Sequence, residues 1–166
     1  GGLDGQGQRE LLLALFGAAP VMVAMTSGRL ADKYGYHRPV RIAVGLTATG
    51  AALAVAQARL GSRAAAVKWL EANVLDAELP AHAYDVWHDR AVFHFLTDPQ
   101  ERARYVAQVS RSVAPGGHVL VATFAEDGPL RCSGLTVARY SPEALHGEFG
   151  ADFRLIESQR EVHRTP

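Results

Sequence analysis

The sequence predicts an α/β fold in which an apolar helical hairpin precedes a parallel sheet. Residues 11–28 and 42–58 contain no Asp, Glu, Lys or Arg, whereas charges of both signs recur every few residues from Arg59 onward. In this second part, strand-like and helix-like segments alternate, which is typical of a parallel sheet with crossover helices. We therefore divide the chain into two parts, residues 1–58 and 59–166.

The two charge-free stretches of the first part predict closely packed helices. An apolar stretch of about 18 residues is long enough to cross a membrane, and both stretches lie near that limit. They are rich in Gly and Ala, which allow membrane helices to approach closely, and Pro20 is better tolerated in a membrane helix than in a soluble one. The alternative is a hairpin of two apolar helices in a soluble protein.

A charged segment, SGRLADKYGYHRPV (27–40), joins these stretches. It resembles the loop signature that links the second and third transmembrane helices of major facilitator superfamily transporters, with His37 where a basic residue is usual. The resemblance covers residues 10–58 and implies attachment of 11–58 to the inner membrane, with this loop in the cytoplasm. Two helices cannot form the opposed bundles that transport requires. The resemblance therefore implies a non-catalytic membrane-associated fragment, or a fusion artefact.

The second part begins with two predicted strands. VKWL (67–70) and YDVWH (84–88) are short runs of β-branched, aromatic and other apolar residues. The nearly continuous apolar run HVLVATF (118–124) predicts a strand buried on both faces of a parallel sheet. FRLIESQREV (153–162) alternates and predicts a final strand.

Two helices are predicted from their capping residues. Asp98 is a good N-cap and Pro99 suits the first helical position, and this helix ends before Pro-Gly-Gly at 115–117. Ser141 caps a second, shorter helix that reaches about Phe149.

Ligands of parallel sheets bind beyond the carboxyl ends of the strands. In this chain the polar residues that follow the predicted strands are therefore candidates for a binding site. They are Asn73, His88, Asp89, Arg90 and residues 123–127.

Two segments of the second part carry a family resemblance, RSVAPGGHVLVATF and YDVWHDRAVFHFL. Together they resemble class I S-adenosylmethionine-dependent methyltransferases, over residues 56–166. The resemblance implies a truncated Rossmann-like sheet, S-adenosylmethionine as cofactor, and a small-molecule methyl acceptor as substrate. It assigns cofactor binding to Asn73, Val74, His88, Asp89 and Arg90.

The second part lacks the family's glycine-rich loop and the acidic residue that holds the ribose. We therefore expect an incomplete or weakly active methyltransferase, because catalysis of this kind depends on positioning. No catalytic residue is assigned. Asp89 either acts as a base or, as we favour, orders its loop.

Other kinds of site and partner have little support in the sequence. The spacing of His88, Asp89 and His94 matches no standard metal-ligand motif, so no metal is expected. Cys132, the single cysteine, is expected to be a small buried hydrophobe in a reducing, cytoplasmic compartment. A net charge of zero gives no indication of a nucleic-acid partner.

Overall fold

The computed structural model describes residues 9–17, 42–43, 54, 57–70, 72–90, 92–132 and 134–162. These residues belong to two compact units, one formed by residues 1–22 and 79–166 and the other by residues 23–78. The strands and helices of both units are β1 (Arg9–Gly17), β2 (Ile42–Ala43), β3 (Lys68–Trp69), β4 (Tyr84–Asp89), α1 (Pro99–Ser112), β5 (Val113–Ala125), β6 (Arg131–Cys132), β7 (Leu135–Thr136), β8 (Arg139–Tyr140), α2 (Pro142–Phe149) and β9 (Phe153–Val162).

The first unit is built on a five-stranded sheet with the order β4-β5-β1-β9. Every pairing in this sheet is parallel, which confirms the predicted parallel sheet. Phe124 of β5 pairs with Phe16 of β1 and also with Arg139 of β8. The short strand β8 therefore lies on the side of β5 opposite to β1, beyond the point where β4 ends.

The helical hairpin predicted for the first part is wrong at residues 11–17 and 42–43, which are the predicted starts of its two helices. Residues 11–17 belong to β1, and Ile42 and Ala43 form β2. The short run LLLALF can be a buried helix or a buried strand by periodicity alone. It is a strand here because β5 and β9 flank it on both sides, and such strands are continuous apolar runs.

The remainder of that hairpin, residues 18–41 and most of 44–56, lies outside the described residues. Within the part of the chain that the structure describes, no helix combines the length and apolar character needed to cross a bilayer. The charged segment 27–40 also lies outside the described residues.

Both predicted helices of the first unit form, with the predicted caps. The Asp98 carboxylate accepts a hydrogen bond from Gln100 N at 2.8 Å, and Pro99 is the first residue of α1. The Ser141 hydroxyl accepts from Ala144 N at 3.1 Å at the start of α2. Each such cap contributes about 1 kcal/mol, because it satisfies a backbone N–H that the helix leaves unpaired.

Phe93 lies at the centre of the aromatic core. Its side chain is fully buried, and its ring centroid lies 5.1 Å from Tyr105 of α1, 5.7 Å from Tyr140 of β8 and 5.5 Å from Phe149 of α2. The two helices also meet through an ion pair between Arg102 and Glu148 at 2.8 Å. The segment that follows β4 is thereby fixed against α1, β8 and α2.

The close approach of β4 and β5 requires a glycine at position 117. A Cβ atom there would lie 2.7 Å from Val113 Cγ1, 2.9 Å from Ala114 O and 3.0 Å from Asp85 O. The Pro-Gly-Gly sequence was predicted to end a helix. In the structure the helix ends at Ser112, and Pro-Gly-Gly lies inside the first part of β5.

The second unit contains the parallel strand pair β2–β3. Residues 57–60 are helical and continue into a 3-10 helix, Gly61–Ala66. The Trp69 indole donates a hydrogen bond to Ala64 O at 3.1 Å, which ties β3 to this helix. The strand predicted at VKWL is confirmed in its two central residues, and the boundary proposed near residue 58 stays a prediction.

Candidate functional site

The carboxyl ends of β4 and β5 place the loop after β4 at the edge of the sheet where ligands bind in parallel α/β folds. Asp89, the last residue of β4, pairs with Val121, and β5 continues past it to Ala125. The residues that follow Asp89 form a short 3-10 helix, Phe93–Phe95. His88, Asp89, Arg90 and this 3-10 helix are therefore close together at one edge of the sheet.

Asp89 is buried, with only 5% of its surface exposed, and its carboxylate orders the loop. One oxygen accepts a hydrogen bond from Val92 N at 2.8 Å, and the other accepts from Phe93 N at 3.0 Å. The second oxygen also accepts from the Tyr105 hydroxyl at 2.6 Å. A buried carboxylate is tolerated only with such partners, so the geometry supports the loop-ordering role for Asp89 over the role of a base.

Tyr105 anchors this carboxylate from helix α1. Its hydroxyl donates to Asp89 and accepts from the Trp87 indole N–H at 2.8 Å. The two rings meet edge to face, with centroids 5.8 Å apart. Burial and the neighbouring Asp89 carboxylate raise the pKa of Tyr105 well above its ordinary value, so the hydroxyl remains a donor at neutral pH.

His88 and Arg90 flank Asp89 and keep part of their surface exposed, although neighbouring groups remove some of the water around the His88 ring. Desolvation lowers the pKa of His88 below 6.5, and Arg90 adds to this lowering while Asp89 opposes it. The imidazole is therefore neutral at pH 7. Since the Asp89 carboxylate is turned inward, the exposed side chains at this point are a neutral imidazole and a guanidinium.

Asn73 and Val74 lie in the second unit, after β3. The side-chain oxygen of Asn73 accepts from Leu75 N at 2.9 Å, and its backbone oxygen accepts from Asp76 N at 3.0 Å. Asn73 is exposed and Val74 is buried. The structure thus brings His88, Asp89 and Arg90 together, whereas the assignment of all five residues to cofactor binding stays a prediction.

The sequence analysis considers His94 only as a possible metal ligand, and nothing in the sequence indicates the surroundings that its ring has in the structure. Its side chain is 5% exposed, and neither ring nitrogen has a hydrogen-bond partner among the described residues. The ring contacts Phe95, with centroids 4.2 Å apart, and Phe124 of β5, at 4.9 Å. Burial lowers the pKa of His94 to about 4, so this imidazole is neutral at physiological pH.

Phe124, one of the two rings that contact His94, belongs to a small buried cluster that includes a residue of β6. Cys132 and Val137 are buried with Phe124, and Phe95 packs against them. The Ala138 N–H donates to the backbone oxygen of His94 at 2.7 Å. Cys132, the single cysteine, is buried, as expected. No group of three or more potential metal ligands occurs among the described residues.

Comparison with known families gives a match that covers more than half of the chain. The family described as "Methyltransferase domain" matches residues 21–121, which is more than half of the chain and includes β4, α1 and most of β5. The match begins inside the segment that resembled a transporter, and no comparison supports that resemblance. A search of curated proteins gave no match.

Proposed function

Because the chain belongs to the methyltransferase domain family, of class I, we propose that it transfers a methyl group from S-adenosylmethionine to a small molecule. The observation that carries this proposal is the family match, which extends through β4 and its loop into β5. The ordered loop after Asp89 supports it, since it lies at the edge of a parallel sheet where such ligands bind.

The side chains at this edge fit the amino-acid end of S-adenosylmethionine. That end carries a carboxylate, for which the Arg90 guanidinium and the neutral imidazole of His88 are suitable donors. The Asp89 oxygens turn inward and accept hydrogen bonds from Val92 N, Phe93 N and the Tyr105 hydroxyl, so they do not face this carboxylate directly. The assignment of Asn73 and Val74, in the second unit, to the adenine end of the cofactor stays a prediction from the resemblance.

The chain's own contribution to the reaction is positioning. Bound S-adenosylmethionine supplies an electrophilic methyl group on a positively charged sulfur. The network of Trp87, Tyr105 and Asp89 holds the 3-10 helix Phe93–Phe95 at the sheet edge. A rigid loop of this kind keeps the acceptor aligned with the methyl group, and alignment supplies much of the rate in such transfers.

Calorimetric titration of the full chain with S-adenosylhomocysteine tests the proposal. We expect saturable binding with a micromolar dissociation constant. Arg90→Ala should weaken binding by about tenfold, because a charge-assisted hydrogen bond is lost. Arg104→Ala, an exposed arginine on α1, is the matched control and should bind as the wild type does. Absence of heat up to millimolar ligand would reject the proposal.

A further inference from the structure

Arg102 of α1 holds the carboxyl end of the loop that follows β4. One of its guanidinium nitrogens, Nη1, donates to Leu96 O at 3.1 Å and to Thr97 O at 2.9 Å. The side chain is 15% exposed, so protein groups have displaced most of the water around it. We call residues 92–97 the site segment, because they follow the candidate binding residues along the chain and contain the 3-10 helix Phe93–Phe95.

The other end of the site segment is held by a group of opposite charge. The Asp89 carboxylate accepts hydrogen bonds from Val92 N and Phe93 N, at the amino end of the segment. A negative group at the amino end of a helical turn and a positive group at its carboxyl end both complement the dipole of the turn. The site segment is therefore held between two charged side chains whose signs suit its two ends.

Helix α1 supplies both of the side chains on which this arrangement depends. Tyr105 donates to the Asp89 carboxylate at 2.6 Å, and it lies three residues after Arg102. Residues three apart are neighbours on one face of a helix. Since both ends of the site segment are bound through this face, the position of the segment is fixed relative to α1.

Glu148 of α2 orients the Arg102 guanidinium. Its Oε1 lies 2.8 Å from Arg102 Nε, a nitrogen that makes neither of the bonds to the site segment. A planar guanidinium presents its donors in a fixed fork and so serves both partners at once, whereas a lysine ammonium is a compact point charge. The ion pair between the two helices therefore also sets the direction of the bonds to Leu96 and Thr97.

A second arginine of α1 makes bonds of the same kind at the other end of β4. Arg111 Nη1 donates to Leu79 O at 2.8 Å, and its Nη2 donates to Gln108 Oε1 at 2.8 Å. Leu79 precedes β4, whereas the site segment follows it. Loss of either arginine removes comparable hydrogen bonds, but of the two it is Arg102 that contacts the site segment.

We propose that Arg102 is a positioning residue for the methyl donor. It acts through the site segment, which continues the chain beyond His88 and Arg90, the residues proposed to bind the carboxylate of S-adenosylmethionine. This inference rests on the proposed function and adds to it a residue that does not itself contact the ligand. A segment held at both ends before the ligand arrives loses less conformational freedom on binding, so the affinity is higher.

Calorimetric titration with S-adenosylhomocysteine compares three variants of the full chain with the wild type. Arg102→Met keeps an apolar stem but removes the donors, and should raise the dissociation constant about tenfold. Arg102→Lys keeps the charge without the fork, so its dissociation constant should lie between those of Arg102→Met and the wild type. Arg111→Met is the matched control and should bind as the wild type does, even where urea denaturation shows an equal loss of stability.

Hydrogen exchange at the amides of Val92 and Phe93 tests the same arrangement without a ligand. Both amides are bonded to Asp89, and a segment held at one end only opens more readily. They should therefore exchange about tenfold faster in Arg102→Met than in Arg111→Met when the two variants have similar global stability. A purely stabilising role for Arg102 would instead change the slowly exchanging amides of the whole chain by one common factor.

Three results would overturn the inference. They are equal S-adenosylhomocysteine affinity in Arg102→Met and the wild type, an equal loss of affinity in Arg102→Met and Arg111→Met, and unchanged exchange at Val92 and Phe93. If Arg102→Met does not fold, wild-type affinity in Arg102→Lys would overturn it instead. The absence of binding by the wild type rejects the proposed function and this inference with it, whereas binding that Arg102→Met retains in full rejects this inference alone.

Discussion

Replacing Tyr105 with phenylalanine removes one oxygen atom from the buried network around Asp89. That oxygen donates to the Asp89 carboxylate at 2.6 Å and accepts from the Trp87 indole at 2.8 Å. Tyr105 is 1% exposed, so water cannot replace the lost hydroxyl without repacking. The substitution therefore weakens a charged group's hydrogen bonding and leaves a buried N–H unpaired.

The expected destabilisation follows from these two losses. A hydrogen bond to a charged group contributes about 1.5–3 kcal/mol, and an orphaned buried donor costs about 1–3 kcal/mol. Together they predict a loss of about 3–5 kcal/mol for Tyr105→Phe, a large part of the total stability of a typical domain. Urea denaturation followed by circular dichroism measures it.

Tyr140→Phe is the matched control for this prediction. Tyr140 is also buried, but its hydroxyl has no hydrogen-bond partner among the described residues. Removing it should leave stability unchanged or slightly higher, because no bond is lost. If Tyr105→Phe unfolds at a urea concentration close to that of the wild type, or if both variants lose similar stability, the proposed network does not hold the loop.

Four further outcomes are expected. The free energy of unfolding should fall as the pH rises above 10.0, because the pKa of Tyr105 is raised in the folded state and the unfolded chain loses the proton first. Urea titrations of Tyr105→Phe at several pH values should show a weaker dependence of this free energy on pH. Stability should also fall by about 3 kcal/mol as the pH drops from 6.5 toward 4. The reason is that burial lowers the pKa of His94 to about 4, so the unfolded chain takes up the proton first. If the stability of a His94→Phe variant depends on acid pH as the wild type's does, this prediction is wrong. Asp98→Ala should lower the free energy of unfolding by about 1 kcal/mol through loss of the α1 cap, and no change would mean that the cap is unimportant. Gly117→Ala should cost about 1–3 kcal/mol, because its Cβ would lie 2.7 Å from Val113 Cγ1 within β5 and 3.0 Å from Asp85 O of β4. A melting temperature equal to that of the wild type would refute this close packing around position 117.

Much of the first unit could be predicted from the sequence because its signals are local. Asp98 with Pro99, and Ser141 with Pro142, mark helix starts within two residues of sequence, and the structure confirms both. The strands β4, β5 and β9 also form where apolar runs predicted them. Each of these signals depends on the neighbouring residues alone.

The strand β1 could not be predicted in this way. Its apolar run fits a helix or a buried strand equally well, and the decision depends on β5 and β9, which lie about a hundred residues or more away along the chain. The long apolar stretch that continues beyond it favoured the membrane-helix interpretation. Pairing partners so distant leave no trace in the local pattern.

The candidate site was predictable in position but not in detail. The rule for parallel sheets led to the loop that contains His88, Asp89 and Arg90. That the Asp89 carboxylate turns inward depends on Tyr105, which is 16 residues further along the chain. The unpaired ring of His94 depends on packing against Phe124, and no spacing rule describes it.

The most direct test of the account is to follow the backbone amide NMR signals of the full chain during a titration with S-adenosylhomocysteine. The account predicts that the largest shift changes occur at the carboxyl ends of β4 and β5, in residues 88–95 and 123–126. Signals at the opposite end of these strands, such as Tyr84 and Gly116, should change little. Unchanged spectra, or changes confined to that opposite end, would contradict the assignment of the sheet edge as the site of methyl transfer.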